Sequence, residues 1–247
     1  MRIAVLNSAA RNASGMAAAR YAALHRRVAR EMGLQAAYAP IYARLLVAPL
    51  RRIYAWAVPS PEAIEALADA TRTSCCAGGV VEVGAGTGLW AELLRARGVR
   101  VAALDMAPPP CSGPGAAATN WQHALADADG EGWTTAPAFT QIATGGVADL
   151  AAHPNSVLFL CWPPCEADET APEHVRRMAA NAIEAHAGSS VALVVDSPWA
   201  LPIRDGKAVQ AAGPEALDAL RAGGFRLARR LQLPSWPAVP AELQLWT

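Results

Sequence analysis

The order of apolar and polar positions divides the chain in two. Before residue 79 the apolar residues fall at helical spacing. In RYAALHRRVAREMG, Tyr21, Leu24, Val28 and Met32 recur every three or four residues, while Arg20, Arg27 and Arg30 fall toward the other side and Gly33 is placed to end the helix. A second helix is expected from Pro40 to about Ile53, disturbed at Pro49. A third follows YAWAVPS, with Ser60 as N-cap, Pro61 as the first helical residue and Glu62 at the positive end of the helix dipole.

After residue 79 the period changes. GGVVEVG, VRVAALD, FTQIATGG, SVLFLCW and SVALVVD read as strands, and LWAELLRARG, APEHVRRMAANAIEAHAG and GPEALDALRAGG read as helices. SVLFLCW is apolar throughout, as a central parallel strand buried on both faces should be. FRLARRLQL and AELQLWT are expected to pair as an antiparallel hairpin edge. Residues 107–137, rich in Pro, Gly and Ala, are expected to be loop with one short helix. Strands alternating with helices imply an α/β fold: a doubly wound, mostly parallel seven-stranded sheet with an antiparallel C-terminal edge, plus N-terminal helices. The expected division is a basic helical segment over 1–56, serving as lid or targeting element, and one domain over 57–247. Such sheets bind ligands at the carboxyl ends of their strands.

Composition narrows the class. With 247 residues, 53% of them apolar, the chain can bury a full core. No run of about 18 apolar residues lacks a charge, so no membrane span is expected. Net charge is zero but unevenly spread: residues 1–56 carry nine arginines against Glu31 alone, a net +8 balanced by −8 in the rest. That segment could dock RNA or an acidic surface, act as an organelle-targeting segment, or lie as a basic helix on an acidic domain. The five cysteines, Cys75, Cys76, Cys111, Cys161 and Cys165, fit neither a disulfide framework nor a zinc site, which implies free thiols in a reducing, cytoplasmic setting and no metal.

The chemistry concentrates in VVEVGAGTGLW. Glu82 is followed by Gly84, Ala85, Gly86 and Gly88, in G-x-G-x-G spacing. Glycines after a strand let the backbone turn sharply and a ligand approach closely. The dinucleotide fingerprint G-x-G-x-x-G would need glycine at 89, where Leu89 stands. Asp105 ends the next strand, 17 residues after Gly88, where a carboxylate can accept two hydrogen bonds from ribose hydroxyls.

On these residues the chain resembles the class I S-adenosylmethionine-dependent methyltransferases, with a Rossmann-like domain over 79–247. The resemblance implies that Glu82, Gly84, Ala85, Gly86, Gly88 and Asp105 hold S-adenosylmethionine, with Glu82 toward its amino group and Asp105 toward its ribose. It places the adenine near ATGGVADL, where Gly145 and Gly146 would allow close approach; Asp149 either faces the adenine amino group or belongs to an ordinary turn.

LCWPPC falls at the end of the fourth strand, beside the expected methyl position. In related amino-group methyltransferases a polar residue before Pro-Pro and an aromatic after it clamp the acceptor. Here Trp162 precedes Pro163 and Pro164, and Cys165 follows. The indole N–H only donates, so the carbonyls of Trp162 and Pro163 would have to receive an acceptor N–H. Trp162 could instead stack on a flat substrate or simply pack. Asp196 ends the fifth strand and should open into the same cleft; Glu166 and Asp168 follow the prolines. Cys161 lies too deep in a strand to be a nucleophile. His123, His153, His174 and His186 have no obvious partners, and His174 and His186 are expected at the surface. The layout YAWAVP, E-x-G-A-G-T-G-x-W, C-W-P-P and Asp196 also resembles a methyltransferase-like family of unassigned substrate, which implies that residues 38–70 lid the cofactor. The expectation is therefore methyl transfer, with a nitrogen as the favoured acceptor and Trp162, Pro163, Pro164 and Asp196 shaping its site. The alternative is a non-catalytic scaffold that keeps the fold to bind a cofactor or partner.

Overall fold

A computed structural model describes residues 50–72, 76–109, 138–167, 171, 173–196, 211–234 and 241–247, together with the backbone of 48–49, 124–126 and 133–135. The expected helix at 20–33, the start of the second helix, Cys75, Cys111, His123, Asp168 and most of the basic segment lie outside the described residues.

Helix α1 spans Ala48–Ile53, with Pro49 in its first turn, where a proline costs no hydrogen bond. Helix α2 spans Pro61–Ala70 and begins as the sequence suggests: the Ser60 hydroxyl accepts the Ala63 N–H at 3.1 Å, and Pro61 opens the helix. Strand β1 (Gly79–Val83) is buried throughout. It leads through the glycine loop to α3 (Leu89–Arg95) and then β2 (Val101–Asp105). Two short antiparallel strands, β3 (Ala124–Ala126) and β4 (Trp133–Thr135), stand in the segment expected to hold a short helix. Strand β5 is only Ala143–Thr144, and β6 spans Ser156–Cys161.

The helix expected across APEHVRRMAANAIEAHAG is divided. A 3₁₀ turn covers Glu173–Val175, and α4 proper runs Met178–Ala185. The Ala171 carbonyl, which an uninterrupted helix would use, accepts the Arg176 Nε–H instead. Strand β7 (Val191–Asp196), α5 (Gly213–Ala222), β8 (Leu227–Gln232) and β9 (Ala241–Trp246) complete the chain.

The main sheet has seven strands in the order β5-β2-β1-β6-β7-β9-β8. Strands β5, β2, β1, β6 and β7 are parallel, and β9 runs antiparallel between β7 and β8, so the late hairpin inserts its second strand next to the parallel set. The chain winds outward from β1 through β2 to β5, then returns to β6 and winds the other way. The switch point lies between β1 and β6, the place where sheets of this kind bind ligands at the carboxyl ends.

Alternation along the strands fills two layers. Leu158, Leu160, Leu193, Val81 and Val83 face α4 and α5, packing with Ile183, Ala216 and Leu220. Val157, Phe159, Val80, Ala192 and Val194 face α2 and α3, packing with Leu67, Trp90 and Leu94. The Trp90 and Phe159 rings meet at 5.2 Å. Residues ahead of α2 belong to this second layer, since Ala55 and Ala57 are buried in it.

Candidate active site

Glu82 occupies the switch point. It lies in register with Ala103 of β2 and Phe159 of β6 and is 1% exposed. Its Oε2 has no hydrogen-bond partner. Burial pushes its carboxyl up to about 8; Arg95 opposes that shift and Asp105 adds to it. A buried carboxyl with a free oxygen is costly unless something donates to it. An ammonium group entering beside β1 would supply that donor.

The loop after β1 holds three glycines in the left-handed region: Gly84 (φ 76°), Gly86 (φ 56°) and Gly88 (φ 73°). A Cβ on Gly88 would come within 3.1 Å of Ile142 and Thr140 as well. The N–H groups of Gly84 and Ala85 both donate to the Leu104 carbonyl, at 2.9 and 3.0 Å, which folds the loop over the end of β2.

Asp105 closes β2 and is 8% exposed. Its Oδ2 accepts the Gly86 N–H at 2.9 Å and its Oδ1 accepts the Ala107 N–H at 2.9 Å. Each carboxylate oxygen can accept more than one donor, so ribose hydroxyls fit as further partners. The Asp105 carbonyl also accepts the Gly145 N–H at 3.0 Å, bringing the 145–146 turn alongside. The Asp149 Oδ2 accepts the Gly146 N–H at 2.8 Å, an exposed bond that closes this turn. A Cβ at Gly145 would lie 2.8 Å from that same oxygen, so the glycine there serves the turn, while Gly146 has room beside Met106.

Residues 54–57 are tied across this loop. The Thr87 hydroxyl donates to the Tyr54 carbonyl, and Trp90 Nε1–H donates to the Ala57 carbonyl at 3.2 Å. The Tyr54 ring stacks on Phe139 at 6.1 Å, and the Phe139 N–H donates to the Thr87 carbonyl at 2.8 Å. Tyr54 and Trp56 stood out in the sequence, but Thr87 and Phe139 did not. Thr87 sat in plain view inside the glycine motif, and its hydroxyl was the available signal.

Trp162 lies directly after β6 with φ 56°, a left-handed conformation that a residue before proline rarely adopts. Its N–H donates to the Val194 carbonyl at 2.9 Å, extending the β6–β7 ladder by one bond. The Pro163 carbonyl accepts the Ala212 N–H at 2.8 Å, and Ala212 is, among the described residues, the second non-glycine residue at positive φ, 67°. One of the two carbonyls expected to receive an acceptor is thus already engaged. Trp162 packs partly against the α2–α3 layer, and Cys165 is buried.

Asp196 is half-buried at the end of β7, with Oδ2 accepting the Ala211 N–H at 2.6 Å. Burial raises its carboxyl pKa; hydrogen bonds, first that from Ala211, and the Arg51 charge oppose this. Glu166 is exposed and paired with Arg177 at 3.1 Å. Burial raises the Cys161 thiol well above its usual range, nearby Glu82 adds to this, and a backbone hydrogen bond from Ala57 opposes it. His186 is buried rather than superficial: its Nε2 bonds the Ser190 carbonyl at 3.2 Å and burial lowers its pKa. Among the described residues no three His, Cys, Asp or Glu side chains group as metal ligands, and no helix is long and apolar enough to cross a membrane.

Strand order, glycine loop and the two acids together define a Rossmann-like domain with its switch point between β1 and β6. No protein-family model and no curated protein sequence matches the chain. Among solved structures it is similar to the magnesium protoporphyrin IX methyltransferase of Synechocystis PCC 6803, which holds bound S-adenosylmethionine, at 13% identity over 83% of this chain and 93% of that one, TM-score 0.44. It is also similar to the methyltransferase domain of a bacterial Hen1, at 10% identity over 74% and 96%, TM-score 0.42. A third is the didemethyltoxoflavin N1-methyltransferase of Burkholderia thailandensis, at 16% identity over 68% and 69%, TM-score 0.37. The fold class itself rests on the strand order and the loop geometry.

Proposed function

We propose that this chain is a methyltransferase that uses S-adenosylmethionine and holds its acceptor at the Trp162–Pro164 strand end. The observation that carries the reading is Glu82: a buried carboxyl with a free Oε2 beside a glycine loop whose shape is set by the neighbouring acid Asp105. Glu82 would hold the cofactor's amino group, the backbone of Gly84, Ala85, Gly86 and Gly88 would pass its methionine part, and Asp105 would hold its ribose. Gly146 offers space for the adenine, and Gly145 supports that turn. Bound there, S-adenosylmethionine supplies an electrophilic methyl group.

The chain's own part is to position the acceptor and exclude water. The two prolines stiffen the strand end, and the Trp162 carbonyl can receive an acceptor N–H while that of Pro163 holds Ala212. A nitrogen acceptor fits this arrangement. Asp196, whose raised pKa favours taking up a proton, is the candidate to receive the proton that the acceptor loses. The ties from Thr87 and Trp90 to residues 54–57 suit a cover over the cofactor.

Calorimetry with S-adenosylmethionine and S-adenosylhomocysteine tests the cofactor, and a labelled methyl donor offered with small-molecule, RNA and protein pools tests transfer. RNA belongs among the pools because residues 1–56 carry a net +8; binding through them should fall steeply with salt. A cofactor-binding scaffold is the second reading, favoured by Trp162 standing where a polar residue would clamp an amine. Cofactor binding with no transfer to any pool would support it. No binding of either compound would sink the enzyme reading.

A further inference from the structure

Three buried donors above the strand ends donate to nothing. They are Nε and Nη2 of Arg51 and Nε1 of Trp56. In a guanidinium, Nε–H and Nη2–H form one edge and point the same way, at a spacing that matches two oxygens of a carboxylate or phosphate. The free pair in Arg51 is that edge. Its guanidinium carbon lies 5.4 Å from the centroid of the Trp56 ring, a contact that orients the group.

The place is defined by what surrounds it. Trp56 lies between Tyr54, whose carbonyl is held by Thr87 of the glycine loop, and Ala57, whose carbonyl is held by Trp90. Arg51 is within electrostatic reach of Asp196 at the end of β7. Asp196 does not consume the free edge: no hydrogen bond joins them, and its Oδ2 is held by the Ala211 N–H. Buried donors without acceptors are costly, and arginine is not relieved of its charge near neutral pH.

We infer that Arg51 and Trp56 form an oxyanion subsite, and that the acceptor substrate carries a carboxylate or phosphate that docks there while its reacting atom lies at the Pro-Pro strand end. This rests on the acceptor-site reading above. The substrate class is an anionic small molecule, recognised by a two-pronged guanidinium edge and an indole N–H.

The test follows the tryptophan indole N–H signals by NMR in the full chain. The protein is saturated with S-adenosylhomocysteine and titrated with acetate in one arm and inorganic phosphate in the other, with ionic strength held by chloride. Trp56→Phe identifies the Trp56 signal by its loss. The Trp56 signal should shift saturably, and the tighter arm names the oxyanion. Arg51→Gln should abolish the saturable shift. Arg51→Lys, which keeps charge but not the fork, should weaken it about tenfold. No saturable shift in either arm, or equal affinity in the lysine variant, overturns the subsite. If Arg51→Gln does not fold, the wild-type and lysine titrations still decide. Repeating the titration without S-adenosylhomocysteine separates the two readings. An anion that binds only then occupies the place of the cofactor's own carboxylate, which overturns the acceptor assignment. Failure of S-adenosylhomocysteine to bind at all sinks the cofactor reading, while the anion shift still reports on Arg51 and Trp56.

Discussion

Asp105 Oδ2 accepts the backbone N–H of Gly86 at 2.9 Å, so the acid that ends β2 shapes the loop that follows β1. The second oxygen does the same for Ala107. Asp105 therefore has a structural task before any ligand arrives. Asp105→Ala should lower stability by about 2–4 kcal/mol without ligand, because two N–H groups lose a charged acceptor. Denaturant unfolding of the free protein measures this, and calorimetry on the folded fraction should show S-adenosylhomocysteine affinity reduced as well. An unchanged unfolding midpoint would contradict the pinning role.

Glu82 links stability to pH with an unusual sign. Its folded pKa is about 8, above the unfolded value near 4.5, so the folded protein holds the extra proton between them. Its contribution is fully present below the unfolded pKa and is lost as pH rises through 8. Stability should fall by a few kcal/mol over that window and then level off. Glu82→Gln should flatten this part of the profile in melts taken across pH. The same variant should weaken S-adenosylmethionine binding, because the ammonium group loses a carboxyl that can give up its proton and accept from it.

Two glycines separate backbone strain from crowding. Gly88 has φ 73° and would place a Cβ 3.1 Å from Ile142 and Thr140; Gly98 has φ 78° with nothing within 4 Å. Gly98→Ala should cost about 1–2 kcal/mol, the price of the left-handed conformation alone. Gly88→Ala should cost more and also impair cofactor binding. Equal losses in denaturant unfolding would show that crowding at Gly88 relaxes freely.

Residues 54–57 are tied to the glycine loop and α3 by two side-chain donors, and the proposed cover depends on them. Thr87→Val removes the hydroxyl held by the Tyr54 carbonyl, and Trp90→Phe removes the N–H held by that of Ala57. Each should cost about 1–2 kcal/mol. Hydrogen exchange should accelerate across residues 54–57 while β1 and β6 stay protected. Exchange that rises evenly through the sheet would mean the cover is not a separate unit.

Local pattern carried most of the fold. The switch from helical to strand period at residue 79, the apolar SVLFLCW and the closing glycines are enough to order the elements, because each depends on neighbours only a few residues away. The glycine motif and Asp105 were legible for the same reason: positive φ demands glycine, and a strand-end acid has a fixed place in the βαβ unit. Other features depended on contacts that spacing cannot express. A surface histidine and a buried one have the same letters around them, and His186 is buried because its nitrogen meets the Ser190 carbonyl. The Asp149 carboxylate closes the turn at Gly146 through an exposed hydrogen bond. The left-handed Trp162 follows from a ladder bond to Val194 and from the hold of Pro163 on Ala212, a residue 49 positions away. Arg51 was one of nine arginines in residues 1–56 until the fold set it beside Trp56 and within reach of Asp196 with a buried, unpartnered edge. The sequence by itself determined the order of the main-sheet strands and the glycine-loop pattern, since both are short-range, but not the β3–β4 pair or the break before α4. Tertiary structure alone decided which donors were left without partners, because that depends on what the finished packing brings together and what it excludes.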